Sequence, residues 1–124
     1  MLSKEQILQA DDLKKELVEV PEWDGQVWVR TLTGEELDSY ETSIVGKGKS
    51  DMRNIRSRLI ARCVVDQDGN RLFADNEAEQ LGGKSAAALD RLYDVAMRLN
   101  GRSEKDQKEL EKNSEAVPAG SISD

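Results

Sequence analysis

A chain of 124 residues with 18 Lys and Arg against 25 Asp and Glu, net charge −7 and 37% hydrophobic residues, has room for one domain with a modest core. The acidic balance argues against nucleic acid or an anionic membrane as partner, since both call for clustered cations. No apolar run reaches membrane-spanning length, and Met1-Leu2-Ser3-Lys4-Glu5-Gln6 has no signal-peptide core. Histidine is absent and cysteine occurs once. The commonest general base is therefore missing and no internal disulfide can form, which fits a reducing cytoplasm and argues against an enzyme.

In chain order, Ser3 with Gln6 is a capping-box pattern that predicts a short helix through Ile7 and Leu8. Leu17-Val18-Glu19-Val20 and Val27-Trp28-Val29-Arg30-Thr31-Leu32 alternate as strands do, and Pro21-Glu22-Trp23-Asp24-Gly25 lies between them. The spacing predicts a β-hairpin over 15–32, with Gly25 supplying the positive φ of the turn. Val27, Val29 and Thr31 line one face of it. Trp28 is expected in the core, and Trp23, in the turn, serves either as a core anchor or as an interface residue. Thr33 and Glu36 form a second capping box, followed by an apolar stripe of Leu37, Tyr40, Ile44 and Val45. Gly46-Lys47-Gly48-Lys49-Ser50 reads as a connector, since its glycines lack the spacing of a phosphate-binding loop.

Asp51 is placed to cap the next helix, whose buried face is Met52, Ile55, Leu59, Ile60 and Cys63. Arg53, Arg56, Arg58 and Arg62 project elsewhere, either as a solvated face or as a patch for an acidic protein partner. Cys63, on the apolar face with no histidine to activate it, reads as a buried structural thiol. Beyond it, Asp66, Asp68, Asn70 and Glu77 occupy positions 1, 3, 5 and 12 of a calcium-loop template. Position 6, where that loop bends on glycine, is Arg71, which opposes a divalent ion. The competing reading is a second short hairpin, Val64-Val65 against Arg71-Leu72-Phe73, with the same polar residues as turn formers.

Asp75 is expected to cap a short helix ending at Leu81-Gly82-Gly83, and Ser85 a long one over 86–100, with Leu89, Leu92, Ala96 and Leu99 as its core stripe and Asn100-Gly101 as its stop. A charged helix to about residue 112 and a flexible tail over 113–124 complete the expectation. The fold class is α+β: a mainly helical single domain over 1–112, a hairpin near the N-terminus, a second short one in the middle, and the tail.

The ordered set of Val18-Glu19-Val20-Pro21-Glu22-Trp23-Asp24-Gly25, Val27-Trp28-Val29-Arg30-Thr31-Leu32-Thr33-Gly34, Cys63-Val64-Val65-Asp66 with Asp68-Gly69-Asn70-Arg71-Leu72-Phe73, Leu89-Asp90-Arg91-Leu92 and Leu99-Asn100-Gly101 resembles the tail assembly chaperones of long-tailed, siphovirus-type bacteriophages and prophages. The resemblance spans about residues 3–112. It implies a non-enzymatic protein without a cofactor that holds the tape measure protein soluble while tail-tube subunits polymerise, and that is absent from the mature virion. It further implies the bacterial host cytoplasm, contact with the major tail tube protein, self-association, and a longer product made by frameshifting. Trp23, Arg53 and Arg56 are the candidate partner-binding residues. A small acidic adaptor or calcium-responsive module using Asp66, Asp68, Asn70 and Glu77 is the alternative.

Overall fold

The structure, a computed structural model, describes residues 1–46 and 48–102. The helix expected to residue 112 and the tail over 113–124 lie outside the described residues. α1 (Lys4–Gln9) is held by a complete capping box: Gln6 N donates to Ser3 Oγ at 3.1 Å and Ser3 N to Gln6 Oε1 at 2.8 Å. It buries none of its residues.

β1 (Lys15–Val20) and β2 (Gly25–Arg30) form the expected hairpin, in register from Lys15↔Arg30 to Val20↔Gly25. The alternation puts Val18, Val20 and Val29 inside. Two details differ from expectation. Pro21–Trp23 makes a 3-10 turn and Asp24, not Gly25, takes the left-handed conformation at φ 55°, with its N–H on Pro21 O at 3.1 Å. A short polar side chain tolerates that region, so Gly25 is released to begin β2. Trp28, expected in the core, is half-buried beneath Lys15, whose ammonium lies 4.8 Å from the ring centroid, while Trp23 packs against the core, one of its two expected places.

α2 (Gly34–Val45) starts at the Thr33–Glu36 box and buries Tyr40 and Ile44. α3 (Ile55–Cys63) starts three residues later than a cap at Asp51 suggests, with Asn54 in the cap position. Asp51 Oδ1 accepts from Arg53 N at 3.1 Å, a local turn that competes with helix, and Asn54 then stands at φ 53°. Met52 is consequently exposed. β3 (Val64–Val65) continues from α3 and pairs antiparallel with β2, so β2 is central in the order β1-β2-β3. The Val65↔Arg71 bridge and the Leu72 N–Val64 O bond at 3.1 Å close the second hairpin.

A 3-10 turn (Asp75–Glu77) leads into α4 (Ala78–Leu81). Asp75 does not cap it; Glu77 Oε1 accepts from Ala74 N at 2.7 Å instead, and the Asp75 carboxylate is used elsewhere. α5 (Ala86–Leu99) is capped by Ser85 Oγ, which accepts from Ala88 N at 3.4 Å. Its buried face is Ala88, Leu89, Leu92, Ala96 and Met97. α3 and α5 pack on each other and on the sheet, joining Leu59, Ile60 and Cys63 to Val18, Val20 and Val29 in one core. Asn100 fixes the end of α5 to the exit of β2, accepting from Leu32 N at 2.8 Å. Five helices and a three-stranded sheet among the described residues make the α+β class a finding.

Candidate partner-binding surface

The four arginines of the α3 region separate into two pairs. Arg53 and Arg56 point outward, but each brings its own carboxylate. Arg53 donates to Asp51 at 3.1 and 3.2 Å with its side chain 87% exposed, and this bond draws the Asp51 carboxyl down to about 2. Arg56 lies 2.5 Å from Asp90 and 6.0 Å from the ring centroid of Tyr93. Arg58 and Arg62 turn inward, against the expectation of a solvated face. Arg58 donates to the Ser43 carbonyl at 2.7 Å, to Ser43 Oγ at 3.0 Å and to the Asp51 carbonyl. Arg62, only 4% exposed, donates to Arg58 O, to Ser39 Oγ at 2.9 Å and to Asp75. Those partners come from α2 and the Asp75 turn, and a buried guanidinium requires them.

The other arginines are held in the same way: Arg30 by Glu36, Arg71 by Asp75, Arg91 by Glu22, Arg98 by Glu16 and Arg102 by Glu41. The α3 cluster thus presents paired charge to a partner and no bare cationic patch.

The turn at 66–70 uses its carboxylate on its own backbone. Asp66 Oδ1 accepts from Asp68 N at 2.9 Å and Asn70 N at 3.0 Å, and the Asn70 bond leads the causes that hold the Asp66 carboxyl below its ordinary value. Glu77 is engaged with Ala74 N, and Arg71 reaches the Ala61 carbonyl at 3.1 Å and Asp75 at 2.7 Å. Among the described residues, no three carboxylate or thiol groups gather where a metal ion would sit. Cys63 is fully buried, and burial pushes its thiol up to about 12; such a thiol is no nucleophile near neutral pH.

Two open concavities have an apolar floor and a polar rim. A cleft of about 670 Å³ runs between α3 and the C-terminal half of α5, with Tyr93 and Met97 at its floor and Arg56, Asp90, Asp94 and Arg98 on its rim. A groove of about 580 Å³ lies beside the hairpin turn, lined by Trp23, Phe73, Gln80, Leu81 and Lys84. Of the residues singled out by sequence, Arg56 belongs to the cleft and Trp23 to the groove. Arg53 stands apart from both, in a smaller hollow with Asn54, Asn76 and Glu79. Sequence reasoning placed Phe73 in the second hairpin and Leu81 at a helix end and passed over Met97, without a surface role for any of them. Only the pairing of elements distant in sequence gives them a shared surface.

The sequence model of a family described as phage tail assembly chaperone matches residues 4–113. Among solved structures, the bacteriophage HK97 tail assembly chaperone is similar, with a TM-score of 0.58 and 23% identity over 81% of this chain and 95% of that one. At that identity the likeness speaks for the fold. No curated protein matches the chain.

Proposed function

Because the chain belongs to the phage tail assembly chaperone family, we propose that it binds the tape measure protein and keeps that long helical partner soluble while tail-tube subunits polymerise around it. It works without catalysis in the cytoplasm of the bacterial host, meets the major tail tube protein at the growing tube, and leaves before the virion is complete.

The observation that supports the holding step is the α3–α5 cleft, an apolar floor of Tyr93 and Met97 within a rim of opposite charges. A holding protein must cover apolar stripes and then let go. Burying about 100 Å² of apolar surface contributes roughly 2.5 kcal/mol, so one such cleft grips weakly. Repeated along a long partner, weak grips hold it and still release. The charged rim suits the polar flanks of an amphipathic helix and disfavours an extended apolar strand.

Co-expression with the tape measure protein of the same phage or prophage tests the reading. The wild-type chain is expected to raise the soluble fraction of that protein and to co-purify with it, and Tyr93→Ala with Arg56→Glu to reduce both. An insoluble tape measure protein in the presence of abundant folded chaperone would overturn the proposal.

A further inference from the structure

α1 has an apolar side with nothing against it. Ile7 is 56% exposed, Leu8 74% and Leu2 67%, and the helix buries no residue. Isolated helices shorter than about 12–15 residues are marginal in water. A helix of six residues, even with its capping box, is therefore sustained best when that side is covered.

The groove beside the hairpin turn has the complementary character. Trp23 and Phe73 are half-buried there over Leu81, and the rim carries the exposed amine of Lys84 beside Gln80. The aliphatic pair of α1 is preceded by Lys4 and Glu5 and followed, just past the helix, by the uncompensated acids Asp11 and Asp12. An apolar pair with an acidic C-terminal flank is complementary to an apolar groove with a cation on its rim.

The two surfaces lie at opposite ends of the hairpin. The chain coming from α1 joins the sheet where Lys14 O accepts from Thr31 N at 2.8 Å, whereas Trp23 is in the turn at the far end of β1. A six-residue strand spans roughly 17–20 Å between that entry point and the turn, and α1, which buries no residue, does not occupy the groove of its own copy.

We propose that α1 of one copy seats Ile7 and Leu8 in the Trp23–Phe73–Leu81 groove of a second copy, with its flanking carboxylates toward Lys84. Helix and groove are different patches, so the contact is heterologous: each copy that has docked its helix still offers its groove to another. This contact does not use the α3–α5 cleft, and it stands or falls separately from client binding.

Light scattering on the full chain from micromolar to submillimolar concentration tests it. The wild-type chain is expected to grow in mass with concentration. The double variant Ile7→Asp, Leu8→Asp and the single variant Phe73→Asp are each expected to weaken association by about tenfold or more, as loss of a buried aliphatic or aromatic contact does. Mixed in equal amounts, they are expected to form a one-to-one dimer that grows no further, because one keeps an intact groove and the other an intact helix. Lys84→Glu, at an exposed position, is expected to weaken association about threefold. If circular dichroism shows Phe73→Asp unfolded, Gln80→Glu with Lys84→Glu takes its place, and the mixture is then expected to grow less than the wild-type chain at the same concentration. A wild-type chain that stays monomeric throughout, association untouched by either class of variant, or a mixture that remains monomeric would each overturn the proposal.

Discussion

The guanidinium of Arg62, 5% exposed as a side chain, lies 3.3 Å from the Asp75 carboxylate, and the same carboxylate takes Arg71 at 2.7 Å. One acid thereby serves two arginines and joins α3, the central turn and, through Ser39 at 3.4 Å, α2. Removing one partner of a buried pair costs about 3–5 kcal/mol, but the Asp75 side chain is 49% exposed and water screens its share. Asp75→Ala is therefore expected to destabilise by roughly 1–3 kcal/mol, read as a lower urea midpoint at unchanged slope. Arg71→Gln, which leaves the Arg62 contact in place, is expected to cost less.

Acid is expected to weaken the fold. The Arg53 hydrogen bond holds Asp51 at about 2, and backbone bonds, that of Asn70 first, hold Asp66 low. For Asp75, burial pushes upward, but the Arg71 bond and the charges of Arg62 and Arg71 outweigh it. A carboxyl whose folded value is depressed stabilises above its unfolded value, near 3.9, and that contribution is lost as pH falls through the folded one. Melting temperatures should thus hold steady above about pH 5 and decline from about 4 toward 2. Asp66→Asn, which keeps an acceptor oxygen for the turn, is expected to flatten part of that decline.

Glu36 has two duties. Its Oε1 accepts from Thr33 N at 2.9 Å to complete the cap of α2, and both its oxygens lie 2.8 Å from Arg30 Nη2. Glu36→Ala removes both and is expected to cost about 2 kcal/mol, whereas Glu36→Gln keeps the cap and costs about 1. Equal losses in the two variants, measured by chemical denaturation, would show that the Arg30 pair carries the whole effect.

With its thiol pushed up to about 12 and fully buried, Cys63 is expected to resist alkylation at pH 8 in the native state and to react on unfolding. The native labelling rate then reports opening of the α3–α5 core. A rate matching that of a small free thiol would contradict the burial.

Deletion of residues 1–10 should change unfolding free energy by less than about 0.5 kcal/mol, as for surface changes in general, because α1 buries nothing. Chemical denaturation of both chains at submicromolar concentration, where association does not contribute, checks this.

What the sequence carried openly was local. The caps at Ser3, Thr33 and Ser85, the hairpin over 15–32 and the core stripe of α5 all follow from bonds or periodicities spanning a few residues, and the structure has each of them, save that Leu99 is only partly buried and Met97 joins Leu89, Leu92 and Ala96 inside. What escaped depends on distant partners. Arg58 and Arg62 look solvated until Ser43, Ser39 and Asp75 arrive to bond them. Val64 and Val65 are too short a strand to announce that β2 is their neighbour. The start of α3 was misplaced because Asp51 bonds Arg53 locally, where a capping aspartate looks the same on paper. The concavities were not legible at all, since Tyr93 joins Arg56, and Trp23 joins Leu81, only across packed elements.

The internal pairing of the arginines has a consequence for how the molecule meets others of its kind. All of them are tied to internal partners, and with a net charge of −7 two copies repel before they touch. The screening length shrinks from about 30 Å at 0.01 M salt to about 10 Å at 0.1 M. Copies joined through an apolar helix and groove should therefore gather more readily as salt rises. An assembly stitched by exposed ion pairs would come apart under the same change.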